Sequence, residues 1–176
     1  MEDKKFIVSL LNTHANAFVH FVNRQSKESF TKSFDSKWSV GQNTDHLIRS
    51  LSPVNQALLL PTFVIRLAFG KPNRTPRSYQ QVVERYHEKL SAGGTASGRF
   101  IPQAAPWKQK DSLVEKFNQQ TDMMIRRLDS WTEGQLNQYL LPHPLLGKLT
   151  IREMLFFSAY HIQHHLLLLE EREKTQ

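Results

Sequence analysis

The sequence predicts an all-α fold, a four-helix bundle. Four long segments carry apolar residues at the period of three to four that marks one face of a helix. Ser or Thr, followed three residues later by Gln or Glu, precedes three of these segments, and this spacing is typical of a helix start. No segment alternates apolar and polar residues for long enough to predict a sheet. The 176 residues are most simply one domain, residues 1–176, with a single core.

The first helix is predicted over residues 5–27, followed by a polar loop. His14 lies on its apolar stripe, where a histidine bonded within the core is favoured over a functional one. Ser39 and Gln42 have the spacing of a capping box that begins the second helix. The residues that this helix places inward are His46, Leu47, Ser50, Leu51, Val54, Ala57 and Leu58.

A long crossover separates the second and third helices. It spans residues 66–110, has Gly and Pro near both ends, and contains one short helix around residues 78–90. The third helix is predicted to begin at a capping box formed by Ser112 and Glu115. Its apolar stripe consists of Leu113, Phe117, Met124, Leu128 and Trp131.

The last helix is predicted from Ile151 to about Glu171, after a loop that contains Pro and Gly over residues 132–148. Thr150 and Glu153 form the capping box at its start. Its apolar residues have the period of one buried face.

The lengths of the connections predict the order up-down-down-up. Short links make helices one and two antiparallel, and likewise helices three and four. The crossover of about forty residues can return along the whole bundle, so helices two and three run parallel. In this order the start of helix two and the later part of helix four lie at the same end of the bundle.

Three histidines predict a metal site at that end. His161 and His165 are four residues apart on the last helix, so their imidazoles project the same way, about 40° apart around the axis. They can equally be two polar residues bonded locally at the edge of a packed helix. His46, near the start of helix two, meets them in the predicted topology, and three convergent imidazoles favour a divalent metal. His164 lies between His161 and His165 in the sequence, but its side chain is expected to project to one side of the direction that those two share.

Composition excludes several classes of site and location. The chain has no cysteine, so a disulfide framework and a thiolate metal site are excluded, and any metal takes N or O ligands. The first residues do not form a secretory signal, and the apolar stretch 57–69 is too short to span a bilayer, so we expect a cytoplasmic protein without membrane contact. The net charge of +7 permits anionic ligands, but the scattered basic residues do not favour nucleic acid.

Two segments resemble the DinB-like (DinB/YfiT) superfamily. They are WSVGQ leading to DHL at residues 38–47, and HPLLGKLTIREMLFFSAYHIQHH at residues 143–165. The resemblance implies a four-helix bundle with the topology above. It also implies that His46, His161 and His165 bind one divalent metal, commonly nickel or zinc. Relatives in this superfamily include metal-dependent hydrolases, and transferases or isomerases that use low-molecular-weight thiols.

Three protein nitrogens leave metal positions open, which is the arrangement of a catalytic site. Either a water or the thiol of a small-molecule substrate can then become the nucleophile. Hydrolysis is helped by a carboxylate base, but Asp45, adjacent to His46, is rotated away from the site. Thiol transfer needs no such base, and an anionic thiol suits the basic charge. The alternatives are a non-catalytic bundle stapled by metal and a stress- or DNA-damage-associated binding protein; a homodimer is compatible with either.

Two further sets of residues are candidates around the site. The side chains expected to support the ligand histidines are His14, Gln120 and His164. The rim for a substrate is expected to contain Phe34, Trp38, Phe100 and Trp107 for apolar contact, with Arg99, Lys108 and Lys110 for an anion. The same residues can equally close the end of the core and carry solvated charges. The loops at residues 70–77 and 139–148 are expected to be remote from the metal.

Overall fold

The computed structural model describes residues 2–33 and 37–175, and this part of the chain is mostly helical. The helices are α1 (Lys4–Asn23), α2 (Lys27–Thr31), α3 (Val40–Ala57), α4 (Thr62–Phe69), α5 (Tyr79–Ser91), α6 (Lys110–Leu128), α7 (Glu133–Gln138) and α8 (Ile151–Lys174). One antiparallel hairpin joins α7 to α8 and consists of β1 (Leu140–His143) and β2 (Gly147–Thr150). The all-α prediction therefore holds apart from this hairpin.

Two of the three predicted capping boxes are confirmed. The Ser39 hydroxyl accepts the N–H of Gln42, whose side chain accepts the N–H of Ser39, and α3 begins at the next residue. The same reciprocal pair forms between Thr150 and Glu153 at the start of α8. The prediction at Ser112 is wrong. A 3₁₀ turn at Trp107–Gln109 runs directly into α6, so that helix starts at Lys110 without a side-chain cap.

The first helix also ends earlier than predicted. Helix α1 stops at Asn23, and Ser26 then caps the short helix α2 by accepting the N–H of Ser29. The segment predicted as one helix therefore contains two helices, with a new helix start at Ser26. The apolar period did not reveal this break, because a capping residue acts locally and does not alter the period.

Helix α8 is the central element of the fold. Every residue from Ile151 to Ile162 is buried, so its first three turns are covered on all sides and do not present one stripe. Helices α1 and α3 cover part of this surface, and α5 and the hairpin cover another part. The crossover was predicted as a connection with one small helix; α5 confirms that helix and also packs on α8.

The predicted loop at residues 132–148 contains α7 and the hairpin. The register of the hairpin pairs Leu140 with Thr150 and His143 with Gly147, and Gly147 has a φ of 77° that favours glycine. Each strand has four residues. That length is too short for an alternating pattern to stand out in the sequence.

Contacts between helix ends show which parts of the long helices meet. The Lys4 ammonium at the start of α1 donates to the carbonyls of Leu128 and Trp131, at and beyond the end of α6. At the end of α8, Arg172 donates to the carbonyl of Trp38, which precedes α3. The histidine of α3 therefore lies beside the later turns of α8.

Within the described residues, none of the individual helices combines the length and the apolar character needed to cross a membrane. Helices α3 and α4 reach that composition only as a pair, and they are bent by 110° relative to each other. Pro61 lies at the break between them.

Candidate metal centre

The three histidines predicted as a group converge on one another through their Nε2 atoms. His46 on α3 and both His161 and His165 on α8 are buried. The Nε2 atom of His161 lies 3.2 Å from that of His46 and 3.0 Å from that of His165. Nitrogens bound at 2.0–2.1 Å to one ion are about 2.9 to 3.4 Å apart in octahedral or tetrahedral geometry. The group can therefore hold a metal ion.

The position of the proton on His46 follows from its other ring nitrogen. The Nδ1 atom lies 2.7 Å from the carbonyl oxygen of Phe100, which can only accept a hydrogen bond. Nδ1 therefore carries the proton, and in the neutral ring Nε2 presents a lone pair toward His161. Phe100 belongs to a 3₁₀ turn, Gly98–Phe100, in the crossover. The crossover thus orients a histidine on α3.

Asn43 fixes His165 in the same way. The side-chain nitrogen of Asn43 donates to the carbonyls of Trp38 and Ser39, at 3.0 and 2.9 Å. This orientation turns the amide oxygen of Asn43 toward Nδ1 of His165, 2.6 Å away. His165 therefore donates from Nδ1 and presents the lone pair of Nε2 to the group.

The electrostatic environment keeps the three imidazoles uncharged. Burial lowers the pKa of His161 and of His165 well below the ordinary histidine value, and the neighbouring histidines lower both further. Burial also lowers the pKa of His46, although its hydrogen bond to the Phe100 carbonyl opposes the shift. Neutral imidazoles are the form that binds a metal. At least two lone pairs face one another in a buried space, which suits a cation at their centre.

Aromatic rings hold the histidines on two sides. The ring of Trp38 lies with its centroid 4.8 Å from the ring of His46 and stacks on His165 at 6.3 Å. On the other side, the ring of Phe157 stacks on His161 at 4.9 Å. These contacts restrict rotation of the imidazoles and leave one side of the group open.

That open side faces a cavity of about 1020 Å³. All three histidines line it, together with residues of α3, α5, the crossover, the hairpin and the end of α8. Its lining mixes apolar side chains with a few polar ones, as in binding sites for small molecules. The residues nearest to the histidines on this surface are Trp38, Asn43, Tyr86, Phe100, Phe157 and His164.

The supporting groups differ from those expected from the sequence. His14 places its Nδ1 atom 2.9 Å from the carbonyl of Ala159, and Gln120 pairs with the amide of Asn55. Neither is hydrogen-bonded to the three histidines within residues 2–33 and 37–175. His164 lies beside His165, with 5.4 Å between the ring centroids, and lines the cavity.

Two groups do support the histidines, the side chain of Asn43 and the carbonyl of Phe100. Only the first could have been predicted from the sequence. Asn43 precedes His46 by three residues on the same helix, a spacing that could have indicated a shared face. The carbonyl of Phe100 had no sequence signal, since any residue supplies one.

Part of the predicted rim lies at the cavity. Trp38, Arg99 and Phe100 line the cavity. Trp107 and Lys108 are not among its lining residues. The reason is that Trp107 belongs to the turn that starts α6, where its ring packs on Phe30, 5.7 Å away.

Lys110, a further rim candidate, is not among the lining residues of the described cavity either. Lys110 is buried, and its ammonium donates to the carbonyl of Asn23, so it is occupied within the fold. Phe34 lies outside the described residues.

One expectation is reversed. The segment at residues 139–148 was predicted to be remote from the histidines, but Leu141, His143 and Leu145 line the cavity. A strand advances about 3.3 Å per residue, so the three steps from Thr150 back to Gly147 span about 10 Å, the length of nearly two turns of α8. The hairpin thereby places the ring of His143 4.3 Å from that of Phe157, next to His161.

A comparison with protein families identifies the chain. Residues 10–169 match the family described as the DinB superfamily. Comparison with curated proteins and with solved structures returned no match. The family match covers more than half of the chain and includes α3, most of α8 and all three histidines. The chain therefore belongs to the DinB superfamily.

Proposed function

We propose that the chain is a divalent-metal-dependent enzyme that acts on a small molecule, with His46, His161 and His165 as ligands of one zinc or nickel ion. The observation that carries the proposal is the convergence of three buried, neutral imidazoles at the wall of a cavity. A structural zinc site is closed by four protein ligands, whereas three ligands beside open space are typical of a catalytic one.

When bound, the ion supplies Lewis acidity, which favours the deprotonated form of a water or thiol held in the cavity. The residues of the chain provide the rest. Phe100 and Asn43 hold the ring orientations of His46 and His165, so little reorganisation is needed when a ligand arrives. Trp38 and Phe157 exclude water from two sides of the group.

Thiol transfer fits this cavity better than hydrolysis. Hydrolysis calls for a general base, and the one carboxylate among the described lining residues is Glu171, which is exposed and more than a turn beyond His165. Asp45 is occupied elsewhere, since its carboxylate accepts from Arg49 and from the backbone of Gln103. A thiol bound next to the ion needs no such base, because the ion favours the thiolate.

Cationic side chains favour an anionic thiol as the substrate. Lys37, Arg99 and Arg172 line the same cavity. Burial lowers the pKa of Arg172, yet an arginine stays charged at neutral pH. Its Nε atom is buried and has no partner among the described residues. A carboxylate of the substrate can pair with these cations.

The proposal assumes the up-down-down-up order of α1, α3, α6 and α8. Contacts between helix ends support this order. Arg24 at the end of α1 pairs with Glu173 at the end of α8, as expected for parallel helices. The amide of Asn43 at the start of α3 contacts His165 near the end of α8, as expected for antiparallel ones.

Metal analysis tests the ligand assignment. Protein purified without a histidine tag and loaded with zinc is expected to contain one equivalent, measured by mass spectrometry of the metal. Replacing His46, His161 and His165 together with Ala is expected to abolish it, because the ion loses every protein ligand. The exposed His20→Ala variant is the matched control and should keep its metal. A full equivalent in the triple variant would exclude the site.

Cobalt substitution tests the reaction class. A thiol that binds to the Co²⁺-loaded protein should produce a thiolate-to-metal charge-transfer band, with glutathione as the anionic probe. If the metal only staples α3 to α8, the spectrum will not change when glutathione is added. That result would leave the metal site intact but overturn the proposed chemistry.

A further inference from the structure

His143, on the hairpin, has a proton whose position the structure defines. Its Nδ1 atom accepts the backbone N–H groups of Leu145 and Leu146, at 3.2 and 3.0 Å. A ring nitrogen that accepts a hydrogen bond presents a lone pair, so the single proton of the neutral ring is on Nε2. Pro144 and Gly147 shape the turn that supplies these two N–H groups.

The Nε2–H group of His143 is a donor in the cavity. Burial lowers the pKa of His143 to about 4, so the ring is neutral near pH 7 and keeps this tautomer. His143 lines the cavity, and its Nε2 atom has no hydrogen-bond partner in residues 2–33 and 37–175. A donor that faces the cavity without a protein partner is available to an acceptor oxygen of a ligand, which would replace water there.

A second donor lies on the same wall. Tyr86 on α5 also lines the cavity, and its phenolic O–H can donate a hydrogen bond. No described residue is hydrogen-bonded to that hydroxyl. The rings of His143 and Tyr86 lie 4.3 and 5.2 Å from the ring of Phe157, which itself stacks on His161. Both rings thus lie close to the same candidate metal ligand, and that of Tyr86 is 6.0 Å from the ring of His161.

We infer that His143 binds the substrate by donating its Nε2–H to an acceptor oxygen, a carboxylate or a carbonyl, with the hydroxyl of Tyr86 as a second donor. The inference rests on the proposed function, since that function brings a small molecule to this cavity. Arg99 and Arg172 add two cationic donors to the same lining, so a ligand that presents acceptor oxygens complements these four groups.

One substitution separates binding from folding. In His143→Asn, the side-chain oxygen can still accept from the backbone two and three residues ahead, as in an Asx turn, but the Nε2–H donor is gone. This variant also loses the ring contact with Phe157, so a small fall in melting temperature is expected, but its metal content should equal that of the wild type. His143→Ala loses both functions and should also destabilise the hairpin. Tyr86→Phe removes only the hydroxyl and keeps the ring contacts.

Benzoate and benzamide are the probes, as a carboxylate and its neutral carbonyl counterpart, titrated by calorimetry into zinc-loaded protein. Hydrogen bonds of ordinary strength predict that His143→Asn weakens benzoate binding about tenfold or more, and benzamide binding about two- to tenfold. Tyr86→Phe should weaken the binding of whichever probe His143→Asn weakens. A loss for benzoate alone assigns a carboxylate, and a loss for both assigns the carbonyl oxygen that they share.

The outcomes that would overturn the inference are equally defined. They are an unchanged affinity for both probes in His143→Asn, or no binding of either probe to the zinc-loaded wild type. Nitrogen NMR of protein with ¹⁵N-labelled histidine provides a direct check, and a proton on Nδ1 of His143 would also refute it. The titration is repeated without zinc. If the probe still binds and His143→Asn still weakens its binding, the inference holds even when the metal proposal fails.

Discussion

Asn43 determines which nitrogen of His165 is available to a metal, and this control is exerted through one amide. Two backbone carbonyls hold the nitrogen end of that amide, which leaves its oxygen for Nδ1 of His165. Without the amide, His165 can adopt the other tautomer or rotate. We therefore predict that Asn43→Ala lowers zinc affinity about 10- to 100-fold, as is typical for groups that support a ligand. Competition with a chromophoric chelator measures the change.

Asn55→Ala is the control for this prediction. Asn55 is equally buried on α3, and its amide donates to Gln120, away from the histidines. Both variants lose buried hydrogen bonds, so both should be less stable. Only Asn43→Ala should lose zinc affinity. Equal losses of zinc affinity in the two variants would mean that the effect is general destabilisation.

For individual residues, the sequence predicted which side chains meet but not which groups orient them. The spacing of His161 and His165, and the position of His46 on α3, were sufficient to bring the three together. The carbonyl of Phe100 comes from an irregular turn, and turn conformation depends on tertiary packing. His143 begins the second segment that resembles the superfamily, but its tautomer depends on backbone N–H groups that only a folded turn positions.

At the level of elements, the start of α8 depends on Glu153. Its fully buried carboxylate accepts two bonds from Arg74, one from the backbone of Arg77 and one from Thr150 in the capping box. Glu153→Gln removes the charge opposite Arg74 but can keep the cap. The Arg74 side chain is 31% exposed, so water can solvate the charge that the variant leaves behind. Because the charge-assisted hydrogen bonds are weakened, we expect a loss of about 1.5–3 kcal/mol in the free energy of unfolding, measured in urea.

The matched control is Glu173→Gln, which breaks the exposed pair with Arg24. The side chains of that pair are 44% and 50% exposed. An exposed pair contributes less than about 1 kcal/mol, because water and salt screen it. If the free energy of unfolding falls equally in the two variants, the ion pair of Arg74 with Glu153 does not stabilise the fold more than an exposed pair.

The same carboxylate predicts a dependence on pH. Burial alone would raise the pKa of Glu153, but the bonds from Arg74 and from the backbone of Arg77 and Thr150 hold it below its ordinary value. A lowered folded-state pKa means that the stabilisation is complete above the unfolded-state pKa and is lost as pH falls through the folded-state value. The difference in stability between wild type and Glu153→Gln should therefore shrink in acid, and a difference that grows would contradict this origin.

Gly41 shows why the start of α3 tolerates no larger residue. A Cβ atom there would lie 2.7 Å from the Cβ of Ala105 and 2.8 Å from the ring of Phe30, which is fully buried. Gly41→Ala should cost about 1–3 kcal/mol through overpacking, measured by urea unfolding. Gly134→Ala in α7 meets open space and should be neutral or slightly stabilising. Similar effects at both positions would contradict this account.

For the whole molecule, the sequence predicted the long helices but not what covers the central one. Apolar period identifies one face of a helix, whereas α8 is buried on all sides through its first three turns. The additional cover comes from α5 in the crossover and from four-residue strands, both in segments that the sequence pattern described as connections. These segments also line the cavity. The shape of the cavity therefore depends on segments for which the apolar period gave no detailed prediction.

A metal that joins α3 to α8 should stabilise the whole fold. An ion that binds only the native state adds about 2.7 kcal/mol at a free concentration of 100 times its Kd. For a chain of this length, each kcal/mol raises the melting temperature by about 2–4 °C, so saturating zinc should raise it by about 5–10 °C. Calorimetry of the untagged protein, with zinc and then with excess chelator, measures the shift. The variant without His46, His161 and His165 should show no shift, because these imidazoles form the one group among the described residues that could hold an ion between the two helices. A shift of equal size in that variant would place the stabilising ion elsewhere on the chain.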